Sequence, residues 1–267
     1  MPALRVSKAH AYGNDFLFVL EDELAARDPR KLAVALCDRH QGVGADGLIL
    51  YGLRDRGATM RLFNADGSPS ELSGNGLRCL AALVVRAQGL QAGSTVGVQT
   101  DAGVKLLDLL ARDGERLTFR AALGPPTALR QVQIPVLGET VTASVLGMGN
   151  PQCVVLGTLP DEKRFRRLGP ALSTHAMFPD GTNVEFANVE SPGRVRILIW
   201  ERGVGPTTSS GTGASASAVA AAAHGGASRS VDVIAPGGNQ RVEWLDDGVY
   251  LTGWAEVVFE GEWLPGA

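Results

Sequence analysis

The chain is poor in the features that most often announce a function. Its three cysteines, Cys37, Cys79 and Cys153, form no CxxC pair and are odd in number, which argues against a disulfide framework and suits a reducing compartment. Aromatic residues make up only 6% of the chain. There are 25 Lys and Arg against 28 Asp and Glu, a net charge of −3, so the totals carry no basic footprint for nucleic acid. No run of apolar residues is long enough to span a membrane, and the opening MPALRVSKAHAYGNDF has no apolar signal core. These absences predict a cytoplasmic protein with no nucleic-acid or membrane partner. HExxH, GxSxG and clustered His/Asp sets are missing, and no lysine stands out as a Schiff-base candidate. No metal, hydrolase elbow or cofactor is therefore implied. Gly42-Val-Gly44-Ala-Asp-Gly47 fits GxGxxG, but it follows a predicted helix and precedes a strand, the reverse of the dinucleotide-binding order. Asn64 to Glu71 (NADGSPSE) lacks the spaced acidic ligands of a calcium loop and reads as a turn.

What the chain does hold is apolar residues, at 45%, and 34 glycines. That suffices for one large domain or two of roughly 130 residues. Strands are predicted at 14–20, 48–51, 60–63, 95–99, 104–110, 117–121, 131–136, 141–146, 153–157, 195–200, 230–234, 240–244 and 249–259. Asp28-Pro29 supplies an N-cap and a proline at the first helical position, opening a helix through about Cys37. Further helices are predicted near 161–168, 77–87 and 214–224. Many strands and few helices indicate α+β rather than a regularly alternating parallel sheet.

An internal repeat is the most informative pattern. Gly13-Asn14 returns 136 residues later as Gly149-Asn150. MRLFN, ending at Asn64, aligns at an offset of 137 with ILIWE, ending at Glu201, and at the same offset Ser73-Gly74-Asn75-Gly76 becomes Ser210-Gly211-Thr212-Gly213. Each SGxG precedes an apolar helix, LRCLAALVVRA (77–87) and ASASAVAAAAH (214–224). Both are apolar nearly all round, so each is expected to be enclosed by its own half. We read two homologous halves, 1–115 with a returning segment 258–267, and 116–257, related by a pseudo-twofold axis. The two SGxG loops are then expected to face each other across an inter-domain cleft.

An SGxG loop opening a helix presents unpaired backbone N–H groups and the positive end of the helix dipole, a ready site for a carboxylate. Alone, each serine reads as an ordinary N-cap. Two in symmetric settings read as a pair of anion-binding loops. Two opposed groups about one planar centre are what racemisation at an α-carbon requires, one removing a proton and the other delivering one to the opposite face. The helix ends would hold the developing charge.

His10-Ala-Tyr-Gly13-Asn14-Asp15-Phe16, Asp38-Arg39-His40 through Asp46-Gly47, and Phe63-Asn64-Ala-Asp66-Gly67-Ser68 through Arg78-Cys79 resemble diaminopimelate epimerases. So do Gly149-Asn150-Pro151, Gly181-Thr182-Asn183, Trp200-Glu201-Arg202-Gly203, Ser210-Gly-Thr-Gly, Pro236-Gly237-Gly238, Leu251-Thr252-Gly253 and Phe259-Glu260-Gly261-Glu262. The resemblance runs from residue 10 to 262. It implies two similar halves, each a barrel-like β-sheet around a central α-helix. It also implies a cofactor-independent amino-acid epimerase that converts LL- to meso-diaminopimelate, a lysine and peptidoglycan precursor, with a small amino-acid substrate and a homodimeric assembly. By the same resemblance Asn14, Asn64, Asn150, Asn183, Glu201 and Arg202 bind substrate. The backbone amides of Gly74-Asn75 and Gly211-Thr212 hold the reacting carboxylate, and Ser73 and Ser210 stand at the catalytic positions.

The chain departs from that pattern where the chemistry happens. The family uses two cysteines, thiolate base and thiol acid, where Ser73 and Ser210 stand. Gln152 occupies a position usually held by histidine, and Pro206 one usually held by glutamate. A serine hydroxyl titrates roughly five units above a thiol, so an alkoxide costs about 7 kcal/mol more. No adjacent His or Lys activates either serine in the motifs; His10, His40, His175 and His224 are dispersed and read as structural. Because Gln152 and Pro206 accompany the serines while three cysteines remain, the pattern reads as divergence. Two alternatives to the epimerase follow: a catalytically silent amino-acid-binding homologue, or an isomerase using a carboxylate, for which Asp66, Glu71 and Glu201 are candidates.

Overall fold

The computed structural model describes residues 3–70, 73–101 and 103–264. The first part of the chain runs β1 (Leu4–Ala11), β2 (Asn14–Leu20), α1 (Pro29–Cys37), β3 (Gly47–Arg54), β4 (Gly57–Asn64), β5 (Pro69–Ser70), α2 (Gly74–Gln88), β6 (Thr95–Thr100), β7 (Gly103–Asp113) and β8 (Arg116–Gly124). It continues as β9 (Thr127–Val136), β10 (Glu139–Gly147), β11 (Pro151–Leu156), α3 (Glu162–Ser173), β12 (Asn183–Ser191), β13 (Arg194–Glu201), β14 (Gly205–Thr207), α4 (Gly211–His224), β15 (Ser230–Ala235), β16 (Gly238–Leu245) and β17 (Gly248–Trp263). The fold is α+β, as the strand-rich sequence implies. Four strands went unread in the sequence, the long β1 and β12 and the two short ones, β5 and β14. Lys8 and His10 interrupt β1, and Asn183 and Glu185 interrupt β12, and both carry polar side chains inward for reasons given below.

The chain divides into two compact units, 1–121 with 253–267, and 122–252. Both divisions fall inside strands, β8 and β17; the expected boundary at 115 lies in the turn before β8, and the one at 257 lies within β17 itself.

The units share one pairing scheme. In unit 1, β1 and β2 are antiparallel, β2 and β3 parallel, β3 and β4 antiparallel, β4 and β6 parallel, and β6 and β7 antiparallel. In unit 2, β10–β11, β11–β12, β12–β13, β13–β15 and β15–β16 repeat those orientations in the same order. Unit 1 closes on itself, because β8 pairs with β7 and β17, and β17 pairs with β1. The ring β1-β2-β3-β4-β6-β7-β8-β17 leaves no edge there.

Each ring needs a filling and receives one helix. α2 is buried from Asn75 to Val85 and packs against Phe16, Ile49, Met60, Leu107 and Phe119. α4 is buried from Gly211 to Ala221 except at Thr212 and packs against Val154, Ile197, Val231 and Val242. Helices enclosed on all sides have no polar stripe, which is why both read as apolar all round. The second helix meets its strands with alanines where the first uses leucines and valines. α1 and α3 lie outside the rings, capped by Asp28 and Asp161. α1 places Leu32, Ala33 and Leu36 on Leu17, Val19, Leu48 and Leu50, while α3 places Phe165, Leu168 and Leu172 on Cys153, Val184 and Phe186. β2 and β3 are thus covered on both faces, which accounts for their unbroken apolar runs.

Candidate active site

Each SGxG loop is built by the same local physics. Ser73 takes extended backbone angles before α2, and its Oγ accepts the Gly76 N–H at 3.1 Å. Ser210 does the same before α4, accepting from Gly213 N at 3.1 Å. Both serines are therefore N-caps, and both remain half-buried rather than sealed. A cap consumes one lone pair of the hydroxyl. At Ser73 the hydrogen and a second lone pair stay available for a ligand, while at Ser210 one of the two is engaged by Thr212 Oγ1.

Behind the first loop lies a chain of charged and amide groups. Asn75 is buried; its Nδ2 donates to Asn14 Oδ1 at 3.1 Å, and its Oδ1 accepts from the Arg78 guanidinium. Asn14 Nδ2 donates to Asp46 at 2.7 Å. Asp46 is bound by Arg39 at 2.8 Å, and Arg39 also grips Asp15 at 2.7 Å, with Lys8 on the other Asp15 oxygen at 2.9 Å. Burial alone would raise the Asp15 pKa, but the hydrogen bonds from Arg39 and Lys8 outweigh it and hold it below the ordinary value. Arg39 and Asp46 sit on the glycine-rich loop between α1 and β3. Gly42 is required there because a Cβ would fall 2.2 Å from the Ala35 carbonyl oxygen. That loop is a support for Asn14, not a nucleotide cradle.

Arg78 itself is enclosed at 1% exposure, and no carboxylate among the described residues pairs with it. Its guanidinium rests over the Tyr12 ring at 5.9 Å, and its Nε has no hydrogen-bond partner. Asn64 stands apart from this chain. It is exposed, and its Nδ2 donates to Ser68 Oγ at 2.9 Å within the turn after β4.

The second loop is backed by a different set. Gln152 is fully buried, and its amide lies 2.5 Å from Asn150 Oδ1. Asn183, also buried, accepts the Arg202 backbone N–H at 2.9 Å on Oδ1 and donates to the Pro151 carbonyl at 3.4 Å. Thr212 Oγ1 lies 3.4 Å from Ser210 Oγ. Arg202 is exposed and its guanidinium donates to the Asp180 carbonyl at 3.0 Å; Glu201 beside it is half-buried. In this unit the Gln152 amide lies beside Asn150, Asn183 and Thr212, at 2.5, 3.2 and 3.3 Å, and so stands between the pairs Asn183–Arg202 and Thr212–Ser210.

The residue that sequence reasoning missed is Glu185, on β12. It is completely buried against the start of α4, and a methyl group placed on Gly213 would fall 2.6 Å from its Oε1 and 3.2 Å from Ser210 Oγ. Burial pushes its carboxyl well above the usual range, and the Glu201 charge adds to the effect. A single acid between Val184 and Phe186, in an otherwise apolar run, was the available signal.

Of the carboxylates expected to replace thiols, Asp66 is tied into its own turn by Ser68, at 2.8 Å to N and 2.6 Å to Oγ. Glu71 lies outside the described residues. The three cysteines do not fill the gap either. All are buried, and burial pushes the Cys37 and Cys153 thiols up to about 12, and Cys79 higher still. None supplies a thiolate near neutral pH. No cluster of metal-ligating side chains occurs among the described residues, and no helix there is long and apolar enough to cross a membrane. Two surface grooves, of about 420 and 230 Å³, contain neither loop serine.

The pattern of the diaminopimelate epimerase family matches the chain over residues 6–129 and 144–258. The chain belongs to that family. Among similar curated proteins, the diaminopimelate epimerase of Desulforudis audaxviator is 44% identical over 98% of this chain and 99% of its own. That of Desulfitobacterium hafniense is 39% identical over 99% of both. Solved structures at low identity share the fold. A hydroxyproline epimerase from Agrobacterium vitis superposes with a TM-score of 0.74 at 16% identity, over 97% of this chain and 92% of that one. A phenazine biosynthesis protein from Bacillus anthracis does so at 0.72 and 15%, over 99% and 100%. Membership in the epimerase family makes the serines at both SGxG loops the point that any functional reading has to meet.

Proposed function

We propose that the protein is a cofactor-independent isomerase that epimerises an amino acid of the diaminopimelate type. The observation that carries this reading is the duplicated loop, one N-capping serine followed by free helical N–H groups in each unit, within a chain that matches the family along nearly its whole length. Epimerisation needs two proton-transfer groups, and each unit supplies one, Ser73 and Ser210. The amides of Gly74-Asn75 and Gly211-Thr212 stabilise the substrate carboxylate as charge builds at the α-carbon. Asn14, Asn64, Asn150, Asn183, Glu201 and Arg202 are assigned to the substrate's remaining amino and carboxyl groups, Arg202 as a fork for a carboxylate.

With serines in place of thiols the reaction is expected to be slow, since forming an alkoxide costs about 7 kcal/mol more than forming a thiolate. Buried, unpaired cysteines support a reducing, cytoplasmic setting. A homodimer is proposed from the family resemblance, and light scattering tests it. The decisive experiment is incubation with LL- and meso-diaminopimelate in heavy water. Deuterium at the α-carbon together with interconversion of the isomers is expected; absence of label after prolonged incubation would overturn the reading.

A further inference from the structure

Four groups stand in hydrogen-bond sequence behind the second loop. Ser210 Oγ lies 3.4 Å from Thr212 Oγ1. Thr212 Oγ1 lies 3.3 Å from one head atom of the Gln152 amide, and the other head atom lies 3.0 and 3.2 Å from the two Glu185 oxygens. Nitrogen and oxygen of an amide are assigned by their partners. Here the partners allow two orientations, each matched to one protonation state of Glu185.

With Glu185 neutral, its O–H donates to the Gln152 oxygen. The Gln152 nitrogen then donates to Asn150 Oδ1 at 2.5 Å and faces Thr212, with the Asn183 Nδ2 donor 3.2 Å away as the cost of this orientation. With Glu185 ionised, the amide turns over. Its nitrogen donates to the carboxylate, and its oxygen accepts from Asn183 Nδ2 at 3.2 Å and from Thr212. Asn183 cannot follow, because the Arg202 N–H fixes its oxygen. The Asn150 amide has no other partner among the described residues and turns with Gln152.

The consequence reaches the loop serine. In both states Ser210 Oγ accepts the Gly213 N–H. In the neutral state Thr212 accepts from Gln152, so its own hydrogen points to Ser210, and the Ser210 hydrogen is left directed at a ligand. In the ionised state Thr212 donates to Gln152 and accepts from Ser210, which leaves Ser210 a lone pair to offer. We propose that Glu185 is a positioning residue that sets, through Gln152 and Thr212, whether the Ser210 hydroxyl is presented as a proton donor or a proton acceptor. This rests on the reading of Ser210 as a proton-transfer group. The hydroxyls and amides only rotate; the one proton exchanged is that of the Glu185 carboxyl, with water.

The charged and titratable groups facing Glu185 are few. β13 brings Glu201, whose like charge favours the neutral form, and β11 brings the buried Cys153 thiol. The first turn of α4 carries no acidic residue, and its only basic residue, His224, is in the last turn. Burial itself favours the neutral form.

The test follows the Gln152 side-chain amide by NMR in glutamine-¹⁵N-labelled protein without substrate, with the resonance assigned by its loss in Gln152→Met. The expected result is a single titration at a pH above the ordinary glutamate range. It is abolished by Glu185→Gln, and shifted to lower pH, by roughly half a unit to one unit, in Glu201→Gln. A resonance indifferent to pH, or a titration that survives in Glu185→Gln, overturns the proposal. If Glu185→Gln does not fold, an unmoved midpoint in Glu201→Gln overturns it equally. With substrate in heavy water, the ratio of α-deuterium uptake from the two substrate configurations should change about threefold or more across that midpoint. The ratio should be flat with pH in Thr212→Val; a persistent pH dependence there overturns the relay. The NMR titration as expected, with no deuterium uptake, supports the switch and overturns the epimerase reading instead.

Discussion

The two loops share a cap, a glycine pattern and a helix, yet the groups behind them are opposite in character. Behind Ser73 runs a sequence of charged and amide groups, Asp46, Asn14, Asn75 and Arg78, ending in a buried guanidinium. Behind Ser210 run Thr212, Gln152 and Glu185, ending in a buried carboxyl whose pKa burial raises well above the usual range. Duplication has preserved the frame, while the polar filling has diverged in sign. One unit backs its loop with a charged guanidinium, the other with a carboxyl that burial pushes toward its neutral form.

The largest effect should come from erasing what the loops have in common. Ser73→Cys with Ser210→Cys is expected to raise α-proton exchange by about a thousandfold or more, since each thiol would sit at a helix N-terminus that favours the thiolate. Either single change should restore much less inversion, which deuterium uptake against isomer conversion will show. If the double variant binds diaminopimelate tightly in calorimetry yet exchanges no proton, the two loops no longer work as a pair. Gln152 and Pro206 are then the next positions to revert.

Arg78→Ala removes the charged end of the first sequence. It leaves a cavity at a fully enclosed site and the Asn75 oxygen unsatisfied, so a loss of about 3 kcal/mol or more is expected in denaturant unfolding. The equivalent glycines give a smaller, sharper contrast. A Cβ at Gly213 meets the Glu185 carboxyl at 2.6 Å, whereas one at Gly76 meets the ends of Ile49 and Met60 at 3.0 and 3.3 Å. Gly213→Ala should cost about 2 kcal/mol, and Gly76→Ala under about 1 kcal/mol, because flexible side-chain ends can give way. Equal costs would mean that Glu185 moves freely, against its placement here.

The last contrast is one of slope. The depressed pKa of Asp15 contributes stability at neutral pH that is lost as pH falls below about 4. The raised pKa of Glu185 acts the other way. Its folded form holds a proton the unfolded chain has released, so its contribution declines as pH rises above the ordinary glutamate value. Thermal unfolding across pH should therefore lose its acid limb in Asp15→Asn, and its decline above the ordinary glutamate range in Glu185→Gln.

Much of this arrangement was legible in the sequence because repetition makes a pattern stand out. Both buried helices, both capping serines and the strands with clean alternation were visible from spacing alone. β1 and β12 were hidden because Lys8 is turned in to bind Asp15 and Asn183 and Glu185 are buried outright, and strand patterns assume that an inward side chain is apolar. The connection between Asn14 and Asn75, 61 residues apart, and the one between Gln152 and Glu185 arise from strand pairing and helix docking. Nothing local in the chain encodes those meetings. The unit boundaries inside β8 and β17 were unreadable for a similar reason, since a strand passing from one unit to the other shows no break in composition.

That passage of β17 has a consequence for how the protein is made. Unit 1 begins at the first strand but is completed by residues 253–263, which close its ring against β1 and β8. A ribosome delivers those residues after every other strand of the ring. Throughout synthesis the N-terminal ring stands open, with two unpaired strand edges exposed, while unit 2 already has its own strands through 252. The half that is translated first is therefore the half that finishes folding last, and a chain cut before residue 253 has no way to shut it.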